Sequence, residues 1–122
     1  MATSRQITLE NEDGVPVVRF LGRNLLDEAL VRAIHEQIDA SLQPGEPIGL
    51  ILDFSNVSMV SSAFIGRIVL LHRRAAASGG LLLMCELGPA VRDALRTTNL
   101  DRVLKIVRDR REARELFGSK TV

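Results

Sequence analysis

Aromatic residues and cysteine are rare in this chain and its net charge is small. Each of these features excludes a class of function. Only 3% of the 122 residues are aromatic and all of these are phenylalanine, so few rings could stack on nucleic-acid bases. The formal net charge of +1 gives no bulk attraction to nucleic acid. The single cysteine, Cys85, excludes an internal disulfide and fits a reducing compartment. We therefore expect no nucleic-acid partner.

Long apolar runs are also lacking. No stretch approaches the ~20 apolar residues that span a bilayer, and the N-terminal MATSRQITLE contains no apolar core of signal-peptide length. We therefore expect a cytoplasmic protein without a membrane span. The length of 122 residues and the hydrophobic content of 46% predict a single folded domain over residues 1–122.

Catalytic and metal-binding motifs are missing too. His35 and His72 lie in predicted helices, and neither has a cysteine or carboxylate at metal-ligand spacing. There is no Gly-x-Gly-x-x-Gly and no Walker loop. Cys85 ends a predicted buried strand and is interpreted as a structural thiol. We expect no enzymatic activity, no metal and no other cofactor, and Asp53 at the end of a central strand is kept as a candidate polar site.

The stretch from Ile48 to Ser78 carries the strongest pattern in the chain. An apolar run to Leu52 predicts a strand buried on both faces. A polar turn, Asp53 to Ser58, follows. Ser61 and Ser62 are both suitable N-cap residues for the next helix. Its predicted apolar face comprises Phe64, Ile65, Ile68, Val69, Leu71, His72, Ala75 and Ala76, and Ala63, Arg67, Leu70, Arg73 and Arg74 fall on the other side.

The remaining segments alternate strands and helices. We predict strands at Arg5–Glu10, Val15–Leu21, Leu81–Cys85 and Val103–Val107, and further helices from Asp27 to about Leu42, from Pro89, and after a capping box at Asp109–Glu112. Asn11–Gly14 is a predicted hairpin turn, Gly22–Leu26 a connector and Gly79-Gly80 a helix stop. The order predicts an α/β fold whose mixed, mostly parallel sheet has an antiparallel N-terminal edge hairpin and about four packed helices.

An ordered set of short motifs resembles the STAS domain, a module shared by anti-sigma-factor antagonists and the tails of sulphate transporters. The resemblance extends from about residue 5 to 117 and implies a single STAS-like domain. The matching residues are Leu52-Asp53-Phe54-Ser55-Asn56-Val57, Gly66, Gly79-Gly80 and Thr98-Asn99-Leu100-Asp101-Arg102-Val103-Leu104. Ser61-Ser62-Ala63 stands where the family usually has Asp-Ser-Ser, and Phe64 stands where it usually has a small residue.

The resemblance implies a phosphorylation switch. In single-domain members, an anti-sigma serine kinase phosphorylates the serine at the helix start, and the unphosphorylated form captures that kinase and frees a sigma factor. By position, the phosphoacceptor here is Ser62, within a switch loop that includes Ser58 and the candidate cap residue Ser61. The alternative is a scaffold or transporter-associated domain that binds partners without phosphorylation, which the absence of an acidic residue at position 61 favours.

A partner surface is predicted beside Ser62. Leu70 projects from the polar side of its helix, among small and basic residues that could dock a partner. The candidate docking residues are Ala63, Gly66, Arg67, Leu70 and Arg74. A solvated helix face is the other interpretation of the same pattern, and self-association is left open.

Overall fold

The computed structural model describes residues 5–120, with side chains to residue 118. Six strands and four helices follow one another along the chain. The strands are β1 (Ile7–Glu12), β2 (Val15–Phe20), β3 (Asn24–Leu25), β4 (Gly49–Asp53), β5 (Met59–Val60) and β6 (Leu81–Cys85). The helices are α1 (Glu28–Ser41), α2 (Ser62–Ala77), α3 (Pro89–Thr97) and α4 (Arg110–Lys120), with a 3-10 turn at Leu100–Arg102.

The main sheet has four strands in the order β1-β2-β4-β6. β1 and β2 form an antiparallel hairpin, whereas β2 pairs with β4 and β4 with β6 in parallel. Asp13 and Gly14, both at positive φ, make the hairpin turn, and the Gly14 N–H donates to Asn11 Oδ1 at 2.7 Å. The predicted mixed sheet with its N-terminal hairpin and four helices is confirmed, although β1 begins and ends two residues later than predicted.

Two apolar cores lie on opposite faces of this sheet. The larger contains Leu50 and Leu52 of β4 and the inward side chains of α1, α2 and α3. The smaller lies under α4 and comprises Val17, Ile51, Leu83, Cys85, Val107 and Ala113, with Phe117 packed against it. Because β4 is covered on both faces, it carries an unbroken apolar run.

The end of α2 brings two parts of the chain into close contact. Gly79 has a φ of +80°, and the N–H groups of Gly79 and Gly80 donate to the carbonyls of Ala76 and Ala75. This pair of bonds is a Schellman motif, so the predicted glycine stop is confirmed. A Cβ at Gly80 would lie 2.0 Å from the Ile48 carbonyl oxygen. Residue 80 therefore has to be glycine for β6 to start beside β4.

The sequence prediction was wrong in two places. Val103–Val107 is not a strand, because the chain leaves the 3-10 turn with Val103 facing solvent and meets β6 only at a single bridge between Met84 and Ile106. The predicted connector Gly22–Leu26 contains a two-residue strand, and a second one, Met59–Val60, directly follows the predicted polar turn Asp53–Ser58. These strands, β3 and β5, pair in parallel as a second small sheet.

Candidate functional site

The loop that carries the serines is held by backbone hydrogen bonds to the β3 segment. The N–H groups of Ser58 and Met59 both donate to the Arg23 carbonyl, at 2.7 and 3.2 Å. The Ser61 N–H donates to the Leu25 carbonyl at 3.0 Å. These bonds fix the direction in which the chain enters α2, so the position of Ser62 is determined by a segment more than thirty residues upstream.

Ser61 and Ser62 have different structural roles. Ser61 is the N-cap: its Oγ accepts from the Phe64 N–H at 3.0 Å, and its carbonyl accepts from the Ile65 N–H at 3.1 Å. Ser62 is the first helical residue and is exposed. Within residues 5–118, no side-chain hydrogen bond engages the Ser62 hydroxyl. The hydroxyl is therefore accessible, and it lies at the positive end of the α2 dipole.

A cluster of three phenylalanine rings packs the start of α2 against the core. The rings of Phe20, Phe54 and Phe64 are all buried, with centroids 4.9, 5.4 and 6.1 Å apart in tilted or edge-to-face contacts. Phe64, which departs from the family's usual small residue, therefore fills a space between two other rings. This packing holds the first turn of α2 against the larger core.

The candidate docking residues form one exposed stripe along α2. Ala63, Gly66, Leu70 and Arg74 are exposed and Arg67 is half-buried. Leu70 has 54% of its surface accessible, the largest fraction among the exposed large hydrophobic side chains of residues 5–118. The spacing of three and four residues places these positions next to one another on the helix surface. Ser62 lies at the N-terminal end of this stripe.

Arg74 at the far end of the stripe is already paired. Its Nη1 lies 2.7 Å from Asp39 Oδ1 on α1, and His35 Nε2 lies 3.4 Å from Asp39 Oδ2. The residue therefore links α2 to α1, and its charge is partly neutralised within the chain.

The Asp53 side chain is buried and hydrogen-bonded rather than open to solvent. Its side chain is 5% exposed, its Oδ2 accepts from Arg110 Nε at 2.7 Å, and its Oδ1 accepts from the Ser55 N–H at 2.8 Å. Arg110 also contacts Glu10 at 2.8 Å. Desolvation alone would lower the pKa of Arg110, but hydrogen bonds and charge interactions with Asp53 and Glu10 together outweigh it and raise that pKa, so the cation stays charged. Both oxygens of Asp53 are thus occupied in holding the loop start and α4.

The remaining reactive side chains are not brought together. Burial raises the pKa of Cys85 to about 12, so it remains a thiol at neutral pH. Between residues 5 and 120, no three His, Cys, Asp or Glu side chains converge as metal ligands would. Over the same range, no helix has the length and hydropathy required to cross a bilayer.

Sequence reasoning missed three features of the site. Arg23 supplies the carbonyl that holds the loop, and the side chains of Leu26 and Met59, 47% and 51% exposed, add apolar surface where β3 and β5 lead into α1 and α2. The only available signal was the apolar character of Leu26, at the end of the predicted connector, and of Met59, directly after the predicted polar turn; nothing in the sequence indicated the role of the Arg23 carbonyl.

Comparison with known proteins gives the same family as the motifs. Residues 6–113 match the model of the STAS domain. An anti-sigma F factor antagonist of Paenibacillus polymyxa is 26% identical over 101 residues, which is 83% of this chain and 85% of that protein.

Solved structures of anti-sigma-factor antagonists have the same fold as this chain. An anti-sigma-factor antagonist (STAS) domain protein from Planctomyces limnophilus has a TM-score of 0.78 and 25% identity, covering 88% of this chain and 93% of its own. The phosphorylated form of the Bacillus cell fate determinant SpoIIAA shares the fold, with a TM-score of 0.66, 19% identity and coverage of 90% and 98%. The matched range covers most of the sequence, and this chain belongs to the STAS domain family.

Proposed function

We propose that this protein is an anti-sigma-factor antagonist, a cytoplasmic binding module without catalytic activity that captures an anti-sigma serine kinase and is released by phosphorylation of Ser62. The observation that carries the proposal is that the two serines have different structural roles. Ser61 caps α2 through its hydroxyl, which leaves the neighbouring hydroxyl of Ser62 exposed and unbonded within the described side chains.

A phosphate on Ser62 would be compatible with the folded chain. It would add about −1.5 to −2 charges next to the first N–H groups of α2, where a helix dipole favours an anion by about 1 kcal/mol. The first turn of α2 contains no acidic residue that would repel it. The existence of a phosphorylated form of a protein with this fold supports the same view.

The effect of the phosphate would be felt in binding. Ser62 lies at the end of the exposed stripe that includes Ala63, Gly66 and Leu70, so a partner covering the stripe would also cover Ser62. Burying a dianion against a partner costs desolvation, and an acidic neighbour across the interface adds repulsion. The relative named as an anti-sigma F factor antagonist supports an anti-sigma factor as that partner.

One observation favours a second function. Ser61 replaces the acidic residue that the family usually has before the phosphoacceptor, so a kinase would find no carboxylate there. A scaffold or transporter-associated domain would use the stripe without phosphorylation.

Affinity purification from the native cell, followed by mass spectrometry, separates these functions. A kinase-like ATPase together with a phosphate mapped to Ser62 supports the switch. A permease or another membrane transport component with unmodified Ser62 supports the accessory role.

A further inference from the structure

The Asp53 carboxylate lies where β4 ends and the loop that carries the serines begins. Its side chain is 5% exposed, and its Oδ1 accepts from the Ser55 N–H at 2.8 Å. The Val57 N–H then donates to the Phe54 carbonyl at 2.9 Å and closes a turn. The first residues of the loop are therefore folded around this carboxylate, which sets the direction in which the loop leaves the sheet.

Arg110 holds the carboxylate in place from the first turn of α4. Its Nε lies 2.7 Å from Asp53 Oδ2, and its Nη2 lies 2.8 Å from Glu10 Oε1 on β1. Among residues 5–118, no other cation forms an ion pair with Asp53. Because the guanidinium presents its donors in a planar fork, one side chain joins α4, β1 and the start of the loop.

The two helices α4 and α2 lie on opposite faces of the main sheet. Side chains of α2 belong to the larger core with Leu50 and Leu52, whereas Ala113 of α4 belongs to the smaller core with Ile51. A partner that covers the exposed stripe of α2 therefore does not cover α4. Any effect of Arg110 on that partner has to pass through the loop.

The two halves of the loop are held by different parts of the chain. The carbonyls of Arg23 and Leu25 fix its second half, whereas the Ser55 N–H in its first half bonds to Asp53. A buried carboxylate without a cation is costly, so without Arg110 the Asp53 side chain would turn toward water and release Ser55. The first half of the loop would then change shape while the second half stayed in place.

We infer that Arg110 is a positioning residue for partner binding. It keeps Asp53 buried, and so gives residues 55–58 a fixed shape in the segment that leads to Ser62. Three of these four residues are exposed, so a partner seated on Ser62 also meets them. This role of Arg110 rests on the proposed function only in placing the partner there, and it holds for a kinase and for a transport component alike.

Titration of the partner co-purified from the native cell tests this role, in a buffer where circular dichroism shows every variant to be folded. Arg110→Gln should bind about tenfold more weakly than the wild type. Arg114→Gln is the matched control, because Arg114 lies on the same helix but pairs with Glu12 and Asp13 rather than with Asp53. It should bind like the wild type.

A second substitution shows whether Arg110 acts through Asp53. Asp53→Asn keeps an oxygen for the Ser55 N–H but needs no cation, so the double variant Arg110→Gln/Asp53→Asn should bind within about threefold of the wild type. In the free protein, Arg110→Gln should shift the amide resonances of residues 55–58. It should leave the amide of Ser61, which bonds to the Leu25 carbonyl, unchanged.

Wild-type affinity of folded Arg110→Gln, or unchanged resonances at residues 55–58, would overturn this role. A double variant that binds as weakly as Arg110→Gln alone would also overturn it, because Arg110 would then not act through Asp53. The Leu70→Glu variant keeps the result apart from the proposed function. If Leu70→Glu loses the partner while Arg110→Gln keeps it, only the role of Arg110 fails; if both bind normally, the partner surface beside Ser62 fails as well.

Discussion

Asp53 Oδ2 and Arg110 Nε lie 2.7 Å apart, although 57 residues separate the two residues in the chain. The contact joins the end of β4, where the serine loop begins, to the first turn of α4. Among residues 5–118, Asp53 is the only charged or polar residue that is buried. Arg110 therefore provides the positive charge that makes a buried carboxylate tolerable at this place.

Removal of Arg110 should destabilise the fold more than removal of Asp53. Arg110→Gln leaves the Asp53 carboxylate without its cation, which should lower the free energy of unfolding by about 3 kcal/mol. Asp53→Asn should cost less, because its amide oxygen can still accept from the Ser55 N–H and Arg110 keeps Glu10. Urea unfolding measures both changes. Equal stability of Arg110→Gln and the wild type would show that the ion pair is dispensable.

Glu10 should make the stability sensitive to acid. A hydrogen bond from Thr8 and contacts with Arg110 and Arg19 lower its pKa below the ordinary 4.5, against the opposing effect of desolvation. Because the pKa is lower in the folded than in the unfolded state, this contribution is complete above about pH 4.5 and is lost as pH falls through the folded value. The stability difference between wild type and Glu10→Gln should therefore shrink below pH 4.5 in urea titrations. A difference that stays constant from pH 7 to pH 3 would contradict this assignment.

Gly66→Ala should stabilise the isolated protein while it probes the exposed stripe. Gly66 lies inside α2, and a Cβ there would meet no atom within 4 Å. Alanine should therefore raise the free energy of unfolding by about 0.8–1 kcal/mol. Gly80→Ala is the opposite control, because its Cβ would collide with the Ile48 carbonyl and should cost about 3 kcal/mol or more. If Gly66→Ala gains stability but loses the partner, position 66 is held as glycine for close approach.

Leu70→Glu should separate partner binding from folding. Leu70 is 54% exposed, so the change should alter stability by less than about 0.5 kcal/mol. Partner affinity should fall at least about tenfold if the stripe is the interface. Leu9→Glu on β1 is a matched control, with 47% exposure and a place on another surface. Normal partner binding by Leu70→Glu would place the interface elsewhere.

The parts of the fold that sequence could predict are those fixed by near neighbours. Asp27 caps α1 through the Leu30 N–H, and Asp109 caps α4 through the Glu112 N–H, each three residues away. In the predicted capping box the return bond differs, because Glu112 accepts from the Arg108 N–H, one residue before the cap. The glycine stop after α2 depends on a similarly short segment.

The parts that could not be predicted depend on distant partners. β3 and β5 contain two residues each, which is too short to show any period, and they exist because Leu25 and Val60 come into register. Arg110 was visible only as part of a helix start, and nothing in the sequence linked it to Asp53. Ala76 fell on the predicted apolar face of α2 but is exposed, because β6, which packs against α2, is the last strand of the main sheet.

The choice between Ser61 and Ser62 also needed the structure. Both residues satisfy the N-cap preference, and only the bond from the Phe64 N–H to Ser61 Oγ shows which one is the cap. Ser61→Ala should therefore cost about 1 kcal/mol of stability and leave partner binding intact.

Titration of the co-purified partner with wild type, Ser62→Ala and Ser62→Asp tests the switch most directly. Ser62→Ala should bind like the wild type, because the hydroxyl makes no bond within the described side chains. Ser62→Asp should stay folded, since a helix N-terminus favours an acidic residue, but should bind at least about tenfold more weakly. Circular dichroism of both variants provides the control for folding. Equal binding of Ser62→Asp and the wild type would contradict the switch and leave the scaffold function in its place.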